Sequence, residues 1–234
     1  IFSPTEQKIA FSVYFPENDN YDIHIINLDG SNLENLTNTT SYEKFPQFSP
    51  DGSFLIFQGW QKAKMELFFI NLLDKQLINM TRSVNSNDII SHGNFFSVDG
   101  ESIVFTSDRF GNKDIFVMKV NGEDLEQITT NVQHDYEPIF SPNGESIIFT
   151  SERDGNKEIY SYSLTSKYLK NLTKNESDDW NPRFFPDGKK IVFQSNRDGN
   201  WEIYLMNTNG ADQINFSNHP STDYSYTIFQ KNSY

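Results

Sequence analysis

The feature that most constrains this chain is an internal repeat of roughly 45 residues that recurs along its whole length. Each copy opens on a Phe-Ser-Pro-like turn, has a second Phe nine residues later, and ends on a Leu-Thr-like pair. An aliphatic position stands at Ile23, Leu67, Ile115, Ile159 and Ile203, and the Leu-Thr pairs begin at Leu36, Met80, Ile128, Leu172 and Phe216. Both positions advance by 44, 48, 44 and 44 residues. Two independent positions that share one irregular spacing establish a true repeat.

Each copy predicts four short antiparallel strands. The Pro-Asp-Gly turn follows the first strand, and an Asp-Arg-x-Gly-Asn hairpin joins the second strand to the third, because Gly and Asn tolerate positive φ. In the second strand of the third copy, Ile103 and Phe105 point to one face and Val104 to the other, so both faces are apolar. A sheet packed between two neighbours needs this pattern. Four strands at this repeat length predict a β-propeller with one sheet, or blade, per copy.

The two ends of the chain fall at the same place in the repeat. Twelve residues separate the Leu-Thr position from the next leading Phe in most copies, which places Ile228 in phase with Phe2. We therefore expect an all-β propeller of five four-stranded blades, with residues 1–234 forming a single domain. Residues 223–229 would supply the innermost strand of the first blade and close the ring, which removes exposed sheet edges. The alternative is a six-bladed ring, or a fragment of one.

The motifs of the fourth copy carry a family resemblance. Residues 135–144 read Asp-Tyr-Glu-Pro-Ile-Phe-Ser-Pro-Asn-Gly, and residues 148–156 read Ile-Phe-Thr-Ser-Glu-Arg-Asp-Gly-Asn. These motifs resemble the TolB-like propeller family, whose repeats are called PD40 or WD40-like, and the resemblance covers essentially the whole chain. It implies a bacterial, often extracytoplasmic, protein-binding scaffold. The second copy departs from the pattern, because residues 59–64 read Gly-Trp-Gln-Lys-Ala-Lys where the Ser-x-Arg-Asp-Gly motif stands elsewhere.

A mostly acidic position lies five residues before each leading Phe, and an aromatic or basic position follows it. On the family's geometry these residues begin the innermost strand and ring one mouth of the central channel, where they could hold a cation, a basic peptide or a sugar. The candidate binding residues are Glu43, His92, Asp135, Tyr136, Asp179, Trp180, Asp223 and Tyr224. A structural interpretation competes with this one: the carboxylates would pair with Arg109, Arg153 and Arg197 and join neighbouring blades.

Catalysis is not expected. Acids that recur in phase with the blades are explained by the repeat itself, and the sequence holds no Gly-x-Ser-x-Gly motif and no Gly-rich phosphate loop. The chain has no Cys, and its four His form no ligand pair, so we predict no catalytic residue, no metal site and no cofactor. A net charge of −13 disfavours nucleic acids as partners, and no apolar run reaches the ~18 residues that span a membrane.

We therefore expect a monomeric, periplasmic or otherwise extracytoplasmic scaffold that recognises a protein or peptide. Binding would use a propeller face or the channel mouth, with Tyr14, Phe15, Trp60 and Trp201 as aromatic anchors. Two alternatives stay open. One is a carbohydrate-binding or carbohydrate-active propeller that uses the mouth carboxylates. The other is an accessory propeller module of a larger peptidase or envelope protein, which a chain that begins at Ile1 rather than Met leaves possible.

Overall fold

The computed structural model describes residues 1–61, 64–81, 88–89, 95–223 and 226, which form five antiparallel β-sheets. No helix occurs in these ranges, and accordingly none there is long and apolar enough to cross a membrane. The Phe-, Ile- and Val-rich runs of the repeat supply the strands, as residues that fit a pleated, buried surface should. The all-β class and the repeated antiparallel sheets are confirmed.

The sheets follow one another along the chain. Sheet one contains β1 (Lys8–Phe15), β2 (Asn20–Asn27) and β3 (Glu34–Asn35). Sheet two contains β4 (Glu43–Phe48), β5 (Phe54–Gln61), β6 (Lys64–Asn71) and β7 (Leu77–Asn79). Sheet three contains β8 (Asp88–Ile89), β9 (Ser102–Ser107), β10 (Asp114–Lys119) and β11 (Glu126–Gln127). Sheet four contains β12 (Asp135–Phe140), β13 (Ser146–Ser151), β14 (Glu158–Ser163) and β15 (Leu169–Asn171). Sheet five contains β16 (Asp179–Phe184), β17 (Lys190–Ser195), β18 (Glu202–Asn207) and β19 (Ile214–Asn215).

Each sheet has two distinct ends. In sheet four, Asp135 lies opposite Ser151, at the end where a hairpin joins β13 to β14; we call this the hairpin end. Phe140 lies opposite Ile147 at the other end, where the Ser-Pro-Asn-Gly turn joins β12 to β13; we call this the turn end. Each innermost strand therefore runs from the hairpin end to the turn end.

The innermost strand carries a β-bulge where the repeat reads acid-x-x-Pro. Phe45, Glu137 and Asn181 each precede a Pro and have φ between +56° and +59°, and the register of the strand shifts at each. A non-Gly residue with positive φ is uncommon, and a bulge redirects the side chains around it. The bulge therefore sets which side chains of the innermost strand turn away from the sheet.

Sheet three differs from the predicted alignment. The repeat phase puts Ser91 at the acidic position, but the structure places Asp88 opposite Ser107, where Asp135 lies opposite Ser151 in sheet four. Asp88 stands eight residues before the leading Phe96, whereas Asp135 stands five before Phe140, so three of the four extra residues of this copy follow Asp88 in the sequence and one precedes it. His92 lies outside the described residues.

Neighbouring sheets are joined by hydrophobic packing. One buried cluster joins sheets one and two, a second joins sheets two, three and four, and a third joins sheets four and five. In the second cluster Phe105 of sheet three packs with Leu67 of sheet two and Phe149 of sheet four. Burial of both faces, as the apolar pattern on Ile103, Val104 and Phe105 predicts, is thus observed for sheets two, three and four.

The flank of sheet five that faces away from sheet four is packed differently. Leu172, at the Leu-Thr position of sheet four, is 5% exposed, and Gly210 of the next sheet lies against its carbonyl. Phe216 has the same position in sheet five and is 66% exposed. Gly30, which corresponds to Gly210 in sheet one, has no atom within 4 Å of a Cβ placed on it. Among the described residues, no buried cluster joins sheets five and one.

The ends of the described chain lie beside different sheets. Ile1 exchanges two main-chain hydrogen bonds with Ala10, and Phe2 bridges Ile9, so these two residues occupy the last positions of an innermost strand in sheet one. At the other end, the Asp223 amide donates a hydrogen bond to the Trp201 carbonyl of sheet five. Most of residues 223–229 lies outside the described residues, so five-bladed closure by this segment stays a prediction.

Candidate functional site

The acidic residues that begin the innermost strands are buried. Asp135 and Asp179 have no exposed surface, and each accepts a hydrogen bond from an arginine: Arg153 Nη2 to Asp135 at 2.8 Å and Arg197 Nη2 to Asp179 at 2.7 Å. A second Oδ2 bond comes from the amide of Asn131 or Asn175, four residues earlier. These carboxylates are thus held inside the protein in repeated, charge-paired sites.

The ion pairs lie within single sheets, which corrects the expectation that they join neighbouring blades. Arg153 follows β13, and the antiparallel register places the end of β13 opposite Asp135 in the same sheet. The arginine Nε donates to Ser151 Oγ at 2.7 Å, and the guanidinium lies 4.6 Å from the Tyr160 ring centre. Asp135 begins the first strand of the sheet and Arg153 follows the second, so both partners come from neighbouring strands of one sheet.

Glu43 and Asp223 form no ion pair within the described residues, and in the sheet of Glu43 no arginine follows β5. Glu43 is buried and accepts a hydrogen bond from Thr39 Oγ1 at 2.6 Å. Burial raises the pKa of Glu43, and hydrogen bonds from Thr37 and Thr39 offset part of that rise. One buried carboxylate oxygen has no hydrogen-bond partner in each of Glu43, Asp135, Asp179 and Asp223. The position is therefore polar and incompletely satisfied in every sheet where it is described.

A second acidic position was missed in the sequence. Its members are buried near the start of the strand that precedes the outermost one, in β2, β6, β10, β14 and β18, and they are Asp22, Glu66, Asp114, Glu158 and Glu202. Asp114 accepts from Thr129 Oγ1 at 3.1 Å, and that hydroxyl also accepts the Ile115 amide at 3.0 Å. Burial raises the pKa of Asp114, and the nearby Asp135 of the next sheet raises it further. The signal was present, because these acids precede the aliphatic position and share its 44, 48, 44, 44 spacing.

Asparagine side chains hold each sheet to the loop that enters the next one. Asn156, from the Gly-Asn hairpin, donates to the carbonyls of Asn175 and Ser177, and the Asp179 amide donates to the Lys157 carbonyl. Asn112 and Asn200 make the corresponding bonds in sheets three and five. The Gly-Asn motif therefore has two functions, as a hairpin turn and as a tether between sheets.

Aromatic and lysine side chains form a rim at the hairpin end; this rim is defined by Lys113, Tyr136, Lys157, Trp180 and Trp201. Lys157 Nζ lies 5.2 Å from the Trp180 ring centre, and Lys113 Nζ lies 5.8 Å from that of Tyr136. Trp180 and Trp201 pack with ring centres 5.7 Å apart. All five side chains are at least partly exposed. Each lysine comes from the sheet before the aromatic residue that it contacts, so the rim crosses the sheet junctions.

The remaining predicted positions are distributed over the surface. Trp60 and Tyr14 are exposed, and Tyr14 donates to Asp19 at 3.0 Å within the first hairpin. Tyr224 and His92 lie outside the described residues. The described part of the chain holds no group of three or more His, Cys, Asp or Glu residues able to bind a metal ion.

One partly buried charged group was not anticipated. Glu137, at the bulge of sheet four, accepts from Thr150 Oγ1 at 3.2 Å and from the Asn181 amide of sheet five at 3.0 Å. Burial raises the pKa of Glu137, and the charge of Arg183 opposes that rise. Tyr226 donates to the main-chain carbonyl of Val192 at 3.1 Å, so its side chain packs on sheet five.

Comparison with known proteins gives one fold and one family. The curated Tol-Pal system protein TolB of Anaeromyxobacter dehalogenans is 27% identical over 111 residues, which is 47% of this chain and 24% of that protein. This chain thus spans about a quarter of the curated relative's length. TolB from Acinetobacter baumannii superposes with a TM-score of 0.70 at 23% identity, covering 92% of this chain and 54% of that one. A puromycin-hydrolyzing peptidase of Mycobacterium tuberculosis superposes with a TM-score of 0.73 at 14% identity, covering 92% and 37%. These superpositions show a shared propeller fold.

The family model described as the TolB beta propeller domain matches residues 1–138 and 132–231, which together span nearly the whole chain. The matched residues include the acid-x-x-Pro bulges, the Ser-Pro-Asp-Gly turns and the Ser-x-Arg ion pairs described above. The chain belongs to the TolB beta propeller domain family.

Proposed function

We propose that this protein is a non-catalytic scaffold outside the cytoplasm that binds a protein or peptide partner, with residues 1–234 as one propeller domain. The rim at the hairpin end carries this proposal. Partly exposed Trp and Tyr side chains, held by a rigid sheet and bordered by lysines, are the residues on which protein interfaces concentrate their binding energy. The rim residues Tyr136 and Trp180 directly follow Asp135 and Asp179, so the buried ion pairs position them.

The buried carboxylates support a binding function over a catalytic one. A carboxylate that works as an acid or base must reach its substrate. Asp135 and Asp179 have no exposed surface and are hydrogen-bonded to arginine and asparagine within their own sheets. In this proposal Glu43, Asp135, Asp179 and Asp223 support the mouth, and Tyr136 and Trp180 contact the partner.

The envelope location follows from the relatives. The curated matches are named Tol-Pal system proteins and come from Anaeromyxobacter strains. We propose the same setting here, with a protein partner in the cell envelope and a monomeric propeller. The net charge of −13 favours such a partner over a nucleic acid.

The complete ring has two candidate architectures. Closure of five blades by residues 223–229 is supported by the phase of Ile228. It is also supported by the hydrogen bond from the Asp223 amide to the Trp201 carbonyl, which corresponds to the bond from the Asp179 amide to the Lys157 carbonyl between sheets four and five. A further blade between sheets five and one is supported by the exposed Phe216 and by Ile1 and Phe2, which already occupy part of the innermost position of sheet one.

Two other functions have specific support. The Trp180–Trp201 pair offers aromatic faces of the kind on which sugar rings stack, which keeps carbohydrate binding as a candidate. The superposition on 37% of a puromycin-hydrolyzing peptidase keeps an accessory module of a larger enzyme as another.

Affinity capture from a bacterial envelope extract tests the proposed function. We expect the wild-type protein and a Tyr168→Ala control, which removes an exposed aromatic residue at the turn end of sheet four, to retain the same partner. Trp180→Ala should lose it. Retention by Trp180→Ala, or no partner at low salt with any form, would contradict the proposal. A glycan array probed with the same three proteins separates the carbohydrate alternative, because only that function predicts a glycan signal that Trp180→Ala removes.

A further inference from the structure

The turn end, opposite the rim, contains a cavity that the proposed function does not use. It has a volume of about 350 Å³, within the ~300–1,000 Å³ of small-ligand sites. Its lining comes from the leading Phe-Ser-Pro segments of sheets one to four, where the innermost strands end. The apolar lining residues are Ile1, Phe2, Phe48, Phe95, Phe96 and Val98. We call it the turn-end cavity.

The turn-end cavity has a buried base and an exposed apolar border. Phe48 and Phe95 are buried and belong to the hydrophobic clusters between sheets. Phe2 is 67% exposed and Val98 is 60% exposed. Large apolar side chains exposed together around a concavity, above a rigid core, mark a binding surface more often than scattered exposed residues do.

An acidic groove continues from the turn-end cavity. The two share Pro50 and Val98 in their linings, and the groove, of about 710 Å³, runs between sheets two and three. Its lining carries five carboxylates and a single ammonium group, and these residues are Asp51, Asp99, Glu101, Glu123, Asp124 and Lys119. The Lys119 ammonium is already paired with Glu101 at 3.5 Å, so the groove has a strong excess of negative charge.

The acidic residues beside the cavity are kept ionised by their turns. Asp51 accepts from Ser49 Oγ at 2.6 Å and from the Ser53 amide at 3.0 Å, and Asp99 accepts from Ser97 Oγ at 2.5 Å and from the Glu101 amide at 3.0 Å. These bonds lower the pKa of both aspartates. Asp51 and Asp99 are therefore ionised at neutral pH as part of their Ser-x-Asp-Gly turns.

We propose that the turn end is a second docking surface, which takes a peptide segment with one large apolar side chain followed by lysine or arginine residues. The apolar side chain fills the turn-end cavity, and the cationic residues lie in the acidic groove that leads away from it. Charge complementarity selects this occupant over a neutral or acidic peptide. The inference rests on the proposed binding function but on a different face, so each can fail without the other.

A defined peptide tests the proposal on the full chain. The probe is a fluorescent seven-residue peptide, Ser-Gly-Phe-Lys-Lys-Gly-Ser, with two matched controls in which Ala replaces Phe or two Glu replace the Lys pair. We expect the probe to bind at low salt, and we expect the Kd of each control peptide to be at least about tenfold higher. Raising the salt from ~50 mM to ~500 mM should weaken binding of the probe and narrow its difference from the glutamate peptide, because salt screens both attraction and repulsion.

Protein variants locate the site. Val98→Arg should weaken probe binding at least about tenfold, whereas Val132→Arg, at an exposed valine near the hairpin end, should not. Glu101→Gln combined with Asp124→Asn should weaken binding of the probe, which contains the lysine pair, and should not weaken binding of the glutamate peptide. Trp180→Ala should leave probe binding unchanged, which separates this surface from the rim. Thermal midpoints of all variants establish that each is folded.

Three results would overturn the proposal. The first is no detectable binding of the probe when the peptide concentration is ~1 mM. The second is equal binding by Val98→Arg and Val132→Arg. The third is binding that appears only when residues 227–234 are removed, since the occupant would then be a segment of this same chain.

Discussion

Removal of Arg197 tests how much a buried ion pair stabilises the sheet in which it lies. The change Arg197→Met keeps most of the aliphatic side chain but leaves Asp179, which has no exposed surface, without its cation. It also removes the Nε bond to Ser195 at 2.9 Å, the Nη1 bond to Gln213 at 2.7 Å and the contact of the guanidinium with the Tyr204 ring at 4.6 Å. Removing one partner of a buried ion pair costs about 3–5 kcal/mol, so we expect a loss of that size in the free energy of unfolding.

The measurement is urea unfolding followed by tryptophan fluorescence. Lys167→Met is the matched control: it removes a lysine from an exposed pair with Glu126 at 3.2 Å, and should cost no more than about 1 kcal/mol. The double variant Asp179→Asn, Arg197→Met removes both charges, and should cost less than the sum of the two single changes because no buried charge is left alone. A loss for Arg197→Met within about 1 kcal/mol of the control, or full additivity in the double variant, would refute this reasoning.

Three further predictions concern the junctions between sheets. Leu172→Ala should cost about 2–4 kcal/mol and Phe216→Ala less than about 1 kcal/mol, since only Leu172 is covered by a neighbouring sheet; equal losses in urea unfolding would mean that the ring closes over Phe216. Gly210→Ala should lower the thermal midpoint far more than Gly155→Ala, because both have positive φ but only at Gly210 does the added Cβ fall 2.6 Å from a carbonyl. For Glu43, whose pKa is raised by burial, the folded state binds the proton more tightly, so its contribution to stability is present at low pH and is lost as the pH rises above about 4.5. Wild type should therefore lose stability relative to Glu43→Gln between pH 4.5 and 7.5, and a pH-independent difference would contradict this.

Much of the fold follows from spacing alone, because the repeat is a pattern of local structure. The Pro-Asp-Gly and Gly-Asn turns, the apolar second strands and the acidic start of β4, β12 and β16 all form from residues close in the chain. Such features depend on φ preferences and on the alternation of side chains along a strand. Each copy of the repeat contains these local signals, and the five copies show them five times. The third copy shows the limit, since an insertion of four residues let Asp88 take the place that phase alone assigns to Ser91.

The candidate site was less predictable, because its properties depend on contacts between distant residues. The acidic position was found, but its burial and its pairing with Arg153 or Arg197 inside one sheet were not. The second acidic position, including Asp114 and Glu158, has the same spacing and was overlooked because it stands beside the more conspicuous aliphatic position. The turn-end cavity has no sequence signature, since its lining joins four segments that are each about 45 residues apart.

The sequence by itself determined the sheets: their strands, their turns and the position of their acidic and aromatic residues, because each sheet is a local unit of four consecutive strands. Only the tertiary structure decided how the sheets meet. It directed Asp135 and Asp179 inward to their arginines, left Tyr136 and Trp180 partly exposed at the hairpin end, and brought Phe2, Phe48 and Phe96 together around a cavity at the turn end. The physical reason is that a repeat specifies one sheet at a time, whereas the burial of these ion pairs and the cavities arise where several sheets come into contact.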